Sequence, residues 1–188
     1  MFQITKEEPH HSADVEALLN RAFGPGRYAK TAYRLREGVR ALDDLSFVAW
    51  CDDVGGEPGA APHMVGSLRF WPVLLGHTAA IMLGPLAMDP DVRGQGGGLT
   101  LMKHALDIAR AKGHRLVILV GDAPYYAKVG FKPVPVGQIV MPGPVDGARL
   151  LVCELEAGAF DGVSGAVGKD FSYNPEPGKV HFDALTHS

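Results

Sequence analysis

Cysteine is scarce in this 188-residue chain, which has only Cys51 and Cys153. Both stand in strand-like apolar runs, so the expectation is two buried thiols in a reducing cytoplasm rather than a structural disulfide. No cysteine–histidine spacing suits a metal site, so no metal is expected. No apolar run approaches the roughly 20 residues that a membrane-spanning helix needs. Residues 1–8 carry no apolar signal core, which again points to the cytoplasm. Charge of one sign is lacking too: the formal net charge is −3 at pH 7. That leaves no whole-molecule case for a nucleic-acid partner or an anionic membrane. No Gly-Lys-Ser or Gly-Lys-Thr occurs, so there is no ATP or GTP P-loop, and Leu99 stands where a dinucleotide fingerprint needs its third glycine.

What the chain does have is Arg93-Gly94-Gln95-Gly96-Gly97-Gly98. This stretch follows an extended apolar segment, 78–88, and opens a helical pattern that runs to Lys112. The first N–H groups of a helix have no internal partner and carry the positive end of the helix dipole. They attract phosphate, and glycines clear the approach. Arg93 adds a cation at the mouth of the turn. The segment reads as a pyrophosphate cradle on the amides of Gln95, Gly96, Gly97, Gly98 and Leu99; the plainer alternative is a connecting loop.

A second pattern lies downstream, Tyr125-Tyr126-Ala127-Lys128-Val129-Gly130-Phe131. Arg93-x-x-Gly96-x-Gly98 followed by Tyr126-x-x-x-Gly130-Phe131 resembles the GNAT N-acetyltransferase superfamily, in its bacterial, stand-alone form. The approach Leu86-Ala87-Met88-Asp89-Pro90 is similar as well, and the resemblance spans about residues 2–156. It implies an α/β (α+β) fold, with a central mixed, mostly antiparallel sheet splayed into a V-shaped cleft and flanked by helices. Residues 1–156 would form that domain, and residues 157–188 an extension packed on the same domain or on a partner subunit.

The implied activity is transfer of an acetyl group from acetyl-CoA to a primary amine by direct attack in a ternary complex. A non-catalytic CoA or nucleotide sensor with the same fold is the alternative. By resemblance, the co-substrate contacts are Leu86, Ala87, Met88, Arg93, Gly94, Gln95, Gly96, Gly97, Gly98, Leu99 and Tyr126, with an N–H near Leu86 stabilising the oxyanion. Tyr126 would be the general acid for the departing thiolate, with a contact to the cofactor as its plainer role. Tyr125, one helix position earlier, is expected to face elsewhere. Asp122 has two readings, helix start or general base. Implied partners are a small-molecule or peptide amine and, as is common in the superfamily, a second copy of the chain.

The elements read as follows. Residues 2–6 form a strand. Ser12 or Asp14 caps a helix with Val15, Leu18, Leu19, Ala22 and Phe23 on one face, stopped at Gly24-Pro25-Gly26. Residues 27–37 read as a basic second helix, and residues 45–51 as a strand. Residues 64–75 and 78–88 pair antiparallel around Gly76-His77, interrupted at Gly84-Pro85. In the central helix Leu99, Met102, Leu106 and Ala109 form the apolar stripe, with Lys103, His104, Asp107 and Arg110 facing water. Gly113 caps its end, residues 116–120 are a strand covered on both faces, and 152–156 close the sheet.

The acceptor side is the least determined. Residues 27–37 and 133–147 flank it by resemblance, giving Arg27, Tyr28, Arg69 and Trp71 as candidate substrate contacts; packing or a solvated face is the alternative for each. None of His10, His11, His77 or His104 earns a catalytic role. The chain departs from the family pattern at Gly97, usually a branched apolar residue, and at Leu99. It also lacks the asparagine often found before the tyrosine helix. Three consecutive glycines are expected to loosen the turn.

Overall fold

The computed structural model describes residues 1–24, 26, 31–52 and 61–173. Among them, ten strands join one mixed sheet: β1 (Phe2–Lys6), β2 (Ser46–Cys51), β3 (His63–Leu75), β4 (Thr78–Leu83), β5 (Ala87–Met88), β6 (Leu116–Val120), β7 (Lys132–Pro133), β8 (Ile139–Val140), β9 (Leu150–Glu154) and β10 (Gly165–Lys169). The order is β1-β2-β3-β4-β6-β9-β7, with β5 beside β3 and β10 joining β3 to β8. Pairs β4–β6 and β8–β10 are parallel, and the other pairs are antiparallel. Among the described residues, four helices flank the sheet: α1 (Ser12–Phe23), α2 (Thr31–Arg34), α3 (Gly97–Ala111) and α4 (Ala123–Ala127).

Period-two alternation builds two cores. Ile81, Leu83, Val117, Leu119, Leu151 and Cys153 face α3, meeting Leu101, Met102, Ala105, Leu106 and Ala109. Ala80, Met82, Leu116, Ile118, Leu150 and Val152 face the other way, towards Leu35, Phe160 and Val163. Each large side chain buried this way contributes about 1.5–3 kcal/mol. Strand β6 is apolar throughout because it serves both cores. Val15, Leu18 and Leu19 of α1 pack on Val48 and Ala87 in a smaller cluster. Cys51 and Cys153 are buried free thiols. No helix among the described residues is long and apolar enough to cross a membrane.

Several boundaries differ from those read in the sequence. Neither Ser12 nor Asp14 caps α1. A 3-10 turn, Pro9–His11, runs directly into the helix, so Ser12 is already helical and His11 holds the cap position without its side chain bonding the helix amides. The turn secures itself, with the Glu8 N–H donating to His11 Nδ1 at 3.0 Å. Among the described residues the basic helix is the turn Thr31–Arg34 and ends before Glu37; residues 35–38 leave it as a turn that buries Leu35. Leu99 is half-buried at the stripe's margin, and His104 is half-buried with its ring edge-on to Phe47. Strand β9 begins at Leu150, not Val152, because Leu150 pairs with Val120. Residues 157–173 belong to the same body: Phe160 and Val163 fill the second core, and Val167 of β10 pairs with Leu75 of β3.

The segment read as one strand over 78–88 is two. Leu83 pairs with Phe70 and Ala87 with Ser67, so four steps on one strand face three on the other. Gly84-Pro85 makes this bulge, since Pro85 has no N–H for a ladder. Strand β4 remains beside β6 up to Met82–Ile118, whereas β5 stays on β3. The two arms part there, and the V opens. Gly84 is required at this point because a Cβ on it would run into the Trp71 ring. Gly84→Val is therefore expected to lower stability by about 1–3 kcal/mol, the usual cost of overpacking. Urea denaturation reads the change, and an unchanged midpoint would mean that Trp71 moves aside freely.

Candidate active site

The glycine turn is built from the backbone outward. Asp89 Oδ1 accepts from the Asp91 N–H at 3.1 Å and starts a 3-10 turn, Pro90–Val92. Gly94 and Gly96 then adopt φ of +81° and +83°, left-handed values that favour glycine. A Cβ on either would meet nothing within 4 Å, so the space before the helix is open. Helix α3 begins at Gly97, and its first-turn amides point into that space. Two of the three consecutive glycines are closely packed. Gly97 and Gly98 are buried: a Cβ on Gly97 would come within 2.8 Å of Met88 and Phe2, and one on Gly98 within 2.5 Å of the Tyr125 hydroxyl. Arg93 stands beside the turn, exposed, and its guanidinium donates to the Ala22 carbonyl at the end of α1, 3.2 Å away. Gln95 is exposed as well.

The cleft edge follows from one hydrogen bond. The Asp89 N–H donates to the Val65 carbonyl of β3 at 2.8 Å. Backbone groups alternate sides along a strand, so Ala87 also addresses β3, while Leu86 and Met88 turn their N–H and C=O groups away from it into the open V. On the facing arm, Val120 and Gly121 close β6.

Behind the V lies a cavity of about 770 Å³. Its walls come from α1, the α2 turn, β3, the Gly84-Pro85 bulge and the β6–α4 turn. Arg69 and Trp71, two residues apart on β3, both line it. Arg69 is committed elsewhere: it forms a two-pronged ion pair with Glu7, at 2.8 and 2.5 Å, with Glu16 3.8 Å away. The Glu7 hydrogen bond pushes its pKa above the ordinary guanidinium value. Trp71 is buried under Arg36, whose guanidinium also lies over Tyr33, 5.1 Å from each ring. Arg27 and Tyr28 lie outside the described residues.

Tyr126 lines this cavity at the mouth of the V. Its ring packs over Gly121, where any Cβ would strike it, and edge-on to Phe131. Burial first, then the neighbouring Tyr125, pushes its pKa up to about 12. The phenol is therefore neutral, with a proton to give. Asp122 caps α4, with Oδ2 accepting from the Tyr125 N–H at 3.1 Å, and it also borders the cavity. Tyr125 does not face elsewhere. In so short a helix both rings turn into the cleft, 5.0 Å apart and edge to face, and the Tyr125 hydroxyl reaches Gly98 across the V. Burial raises the Tyr125 pKa too.

Two residues touch both regions. Leu86 and Tyr125 line the cavity and also flank Gly98 in the glycine turn. The turn and the cavity are therefore the two ends of one passage. Sequence reasoning missed Tyr33, Arg36, Gly121 and Arg149 on the cavity wall. Arg36 was legible as part of a basic segment; Gly121 and Arg149 gave no local signal, being joined only through the β6–β9 pairing. Among the described residues, no group of three or more His, Cys, Asp or Glu is placed to hold a metal ion.

Residues 12–131 match the model of the acetyltransferase (GNAT) family. A relative from Escherichia coli strain K12, the uncharacterized N-acetyltransferase YhbS, is 30% identical over 166 residues, covering 87% of this chain and 93% of that protein. The crystal structure of E. coli YhbS in complex with CoA matches with a TM-score of 0.73 at 28% identity, over 90% of this chain and 89% of that one. A GNAT family acetyltransferase from Brucella melitensis in complex with acetyl-CoA matches with a TM-score of 0.54 at 26% identity, over 86% of this chain and 99% of that one.

Proposed function

The chain belongs to the GNAT acetyltransferase family, and we propose that it transfers an acetyl group from acetyl-CoA to a primary amine by direct attack in a ternary complex. The observation that carries this reading is the single passage, with a phosphate-suited helix start at one end, a roomy cavity at the other and a neutral tyrosine between them. The CoA-bound YhbS and acetyl-CoA-bound Brucella relatives supply the ligand class.

The residues fit such a ligand. The open space at Gly94 and Gly96 admits a diphosphate to the α3 amides. The outward edge of β5, at Leu86 and Met88, offers backbone groups to an extended arm in the manner of an added strand. When bound, acetyl-CoA supplies a thioester, and attack by the amine forms the N–C bond as the C–S bond breaks. In this reading the Leu86 N–H, on the open edge of β5, stabilises the oxyanion. Tyr126 Oη gives its proton to the leaving sulfur and regains one from the pool that takes the amine's proton. Asp122 serves as the cap of α4, which holds both tyrosines in place. Cys51 and Cys153, buried and unpaired, suit a reducing cytoplasm.

Two measurements test the reading. Isothermal titration with acetyl-CoA is expected to show one site. Thiol release from acetyl-CoA, run against a panel of amines, peptides and aminoglycosides, is expected to respond to at least one acceptor. No binding overturns the proposal; binding with no release across the panel favours the non-catalytic sensor.

A further inference from the structure

Arg149 stands just before β9, beyond the Tyr126 motif, and the transfer chemistry above leaves it without a part. It is tied to the active arm twice. Its carbonyl accepts from the Gly121 N–H at 2.9 Å, and its Nε donates back to the Gly121 carbonyl at 3.4 Å. Gly121 is the residue on which the Tyr126 ring rests. The guanidinium is thus anchored on the same short turn as Tyr126, and both side chains line the cavity.

The other described cations of the cavity are placed differently. Arg69 is neutralised by Glu7, and Arg36 is stacked on Trp71. Among the described residues, the titratable neighbours of Tyr126 are Tyr125, Asp122 and Arg149. Two of these disfavour a negative charge on the ring oxygen, and Arg149 alone favours one.

We propose that Arg149 is a positioning residue for Tyr126: held at the Gly121 carbonyl, its guanidinium stabilises the phenolate left when Tyr126 gives its proton to the departing sulfur. In that step the O–H bond breaks and an S–H bond forms. The electron pair stays on the phenol oxygen until a proton returns from solvent. The inference rests on the acid role of Tyr126 proposed above. Its physical cause is Coulombic: Arg149 pulls the Tyr126 pKa down against the burial and the like charges that raise it. Because Arg149 is largely exposed, the effect is modest and falls with added salt.

The test is a double-mutant cycle with a binding-independent readout. Arg149→Gln keeps the backbone bond to Gly121, so the fold is retained. It is expected to lower kcat by about threefold to tenfold with KM for acetyl-CoA nearly unchanged, and Arg149→Lys to recover most of the loss. In a Tyr126→Phe background, Arg149→Gln is expected to change kcat by less than about twofold, because no phenolate remains to stabilise. In the ligand-free protein carrying fluorotyrosine, 19F NMR follows the Tyr126 resonance, assigned by its absence in Tyr126→Phe. Arg149→Gln is expected to raise its titration midpoint by about half a pH unit, roughly threefold in the ionisation constant. An equal loss in both backgrounds, or an unmoved midpoint, overturns the role of Arg149. Full kcat in Tyr126→Phe alone would instead overturn the acid reading on which it rests.

Discussion

Tyr126→Phe is expected to lower kcat by about tenfold to 100-fold while leaving acetyl-CoA affinity nearly unchanged. The substitution keeps the ring that packs over Gly121 and against Phe131 and removes only the proton. General acid catalysis is commonly worth about 100-fold to 10,000-fold, but a thiolate with a pKa of about 8.5 leaves readily, which places the effect low. The pH dependence has a definite sign. With its pKa pushed up to about 12, Tyr126 stays protonated through the whole neutral and mildly alkaline range. The wild-type rate should therefore show no loss of the acid between pH 6 and 9. Full kcat for Tyr126→Phe across that range would make the tyrosine structural. Tyr125 is not a silent control, because its hydroxyl lies against Gly98 in the glycine turn. Tyr173→Phe is the better one, since Tyr173 stacks on His114 just beyond the opposite end of α3.

Gly96→Asp is expected to weaken acetyl-CoA binding by at least tenfold, about 1.4 kcal/mol. Two effects add. At φ of +83° a side chain is strained, although the surrounding space is empty. The carboxylate also sits at the cap position of α3, where it takes up the first-turn amides and repels a phosphate. Gly96→Ala separates the two, since it carries the strain without the charge and should cost much less. Calorimetry on the folded variants decides, and unchanged affinity for Gly96→Asp would remove the turn from the binding site.

The parts of this site that could be read from sequence are those made by neighbours in the chain. Gly94, Gly96 and the α3 start form one local turn. Tyr126, Gly130 and Phe131 likewise form a short helix and its exit. The bulge at Gly84-Pro85 announces itself through a missing N–H. What could not be read depends on distant contacts. The second helix ends at Arg34 rather than Glu37, where Leu35 turns into the second core. The inward turn of Tyr125 depends on Gly98, which lies on another element. The cavity draws its wall from widely separated segments, so Arg69 and Trp71 were legible by strand alternation while Arg149 and Gly121 were not.

The pairing of β10 with the end of β3 bears on how this protein is made. A ribosome delivers the chain from its N-terminus at about 5–20 residues per second. By then β1 to β4 and α3 have their own partners, yet the outer end of β3, at Val73 and Leu75, still waits for Val167 and Lys169. Phe160 and Val163, which cover the second core, also arrive late. One face of the sheet is therefore sealed only by segments that follow β9 in the chain. Until those segments emerge, the nascent protein carries an uncovered apolar surface and an open strand edge, the features that engage chaperones and favour misassembly. Closure of this face is timed by residues 160–169 rather than by the strands that they cover.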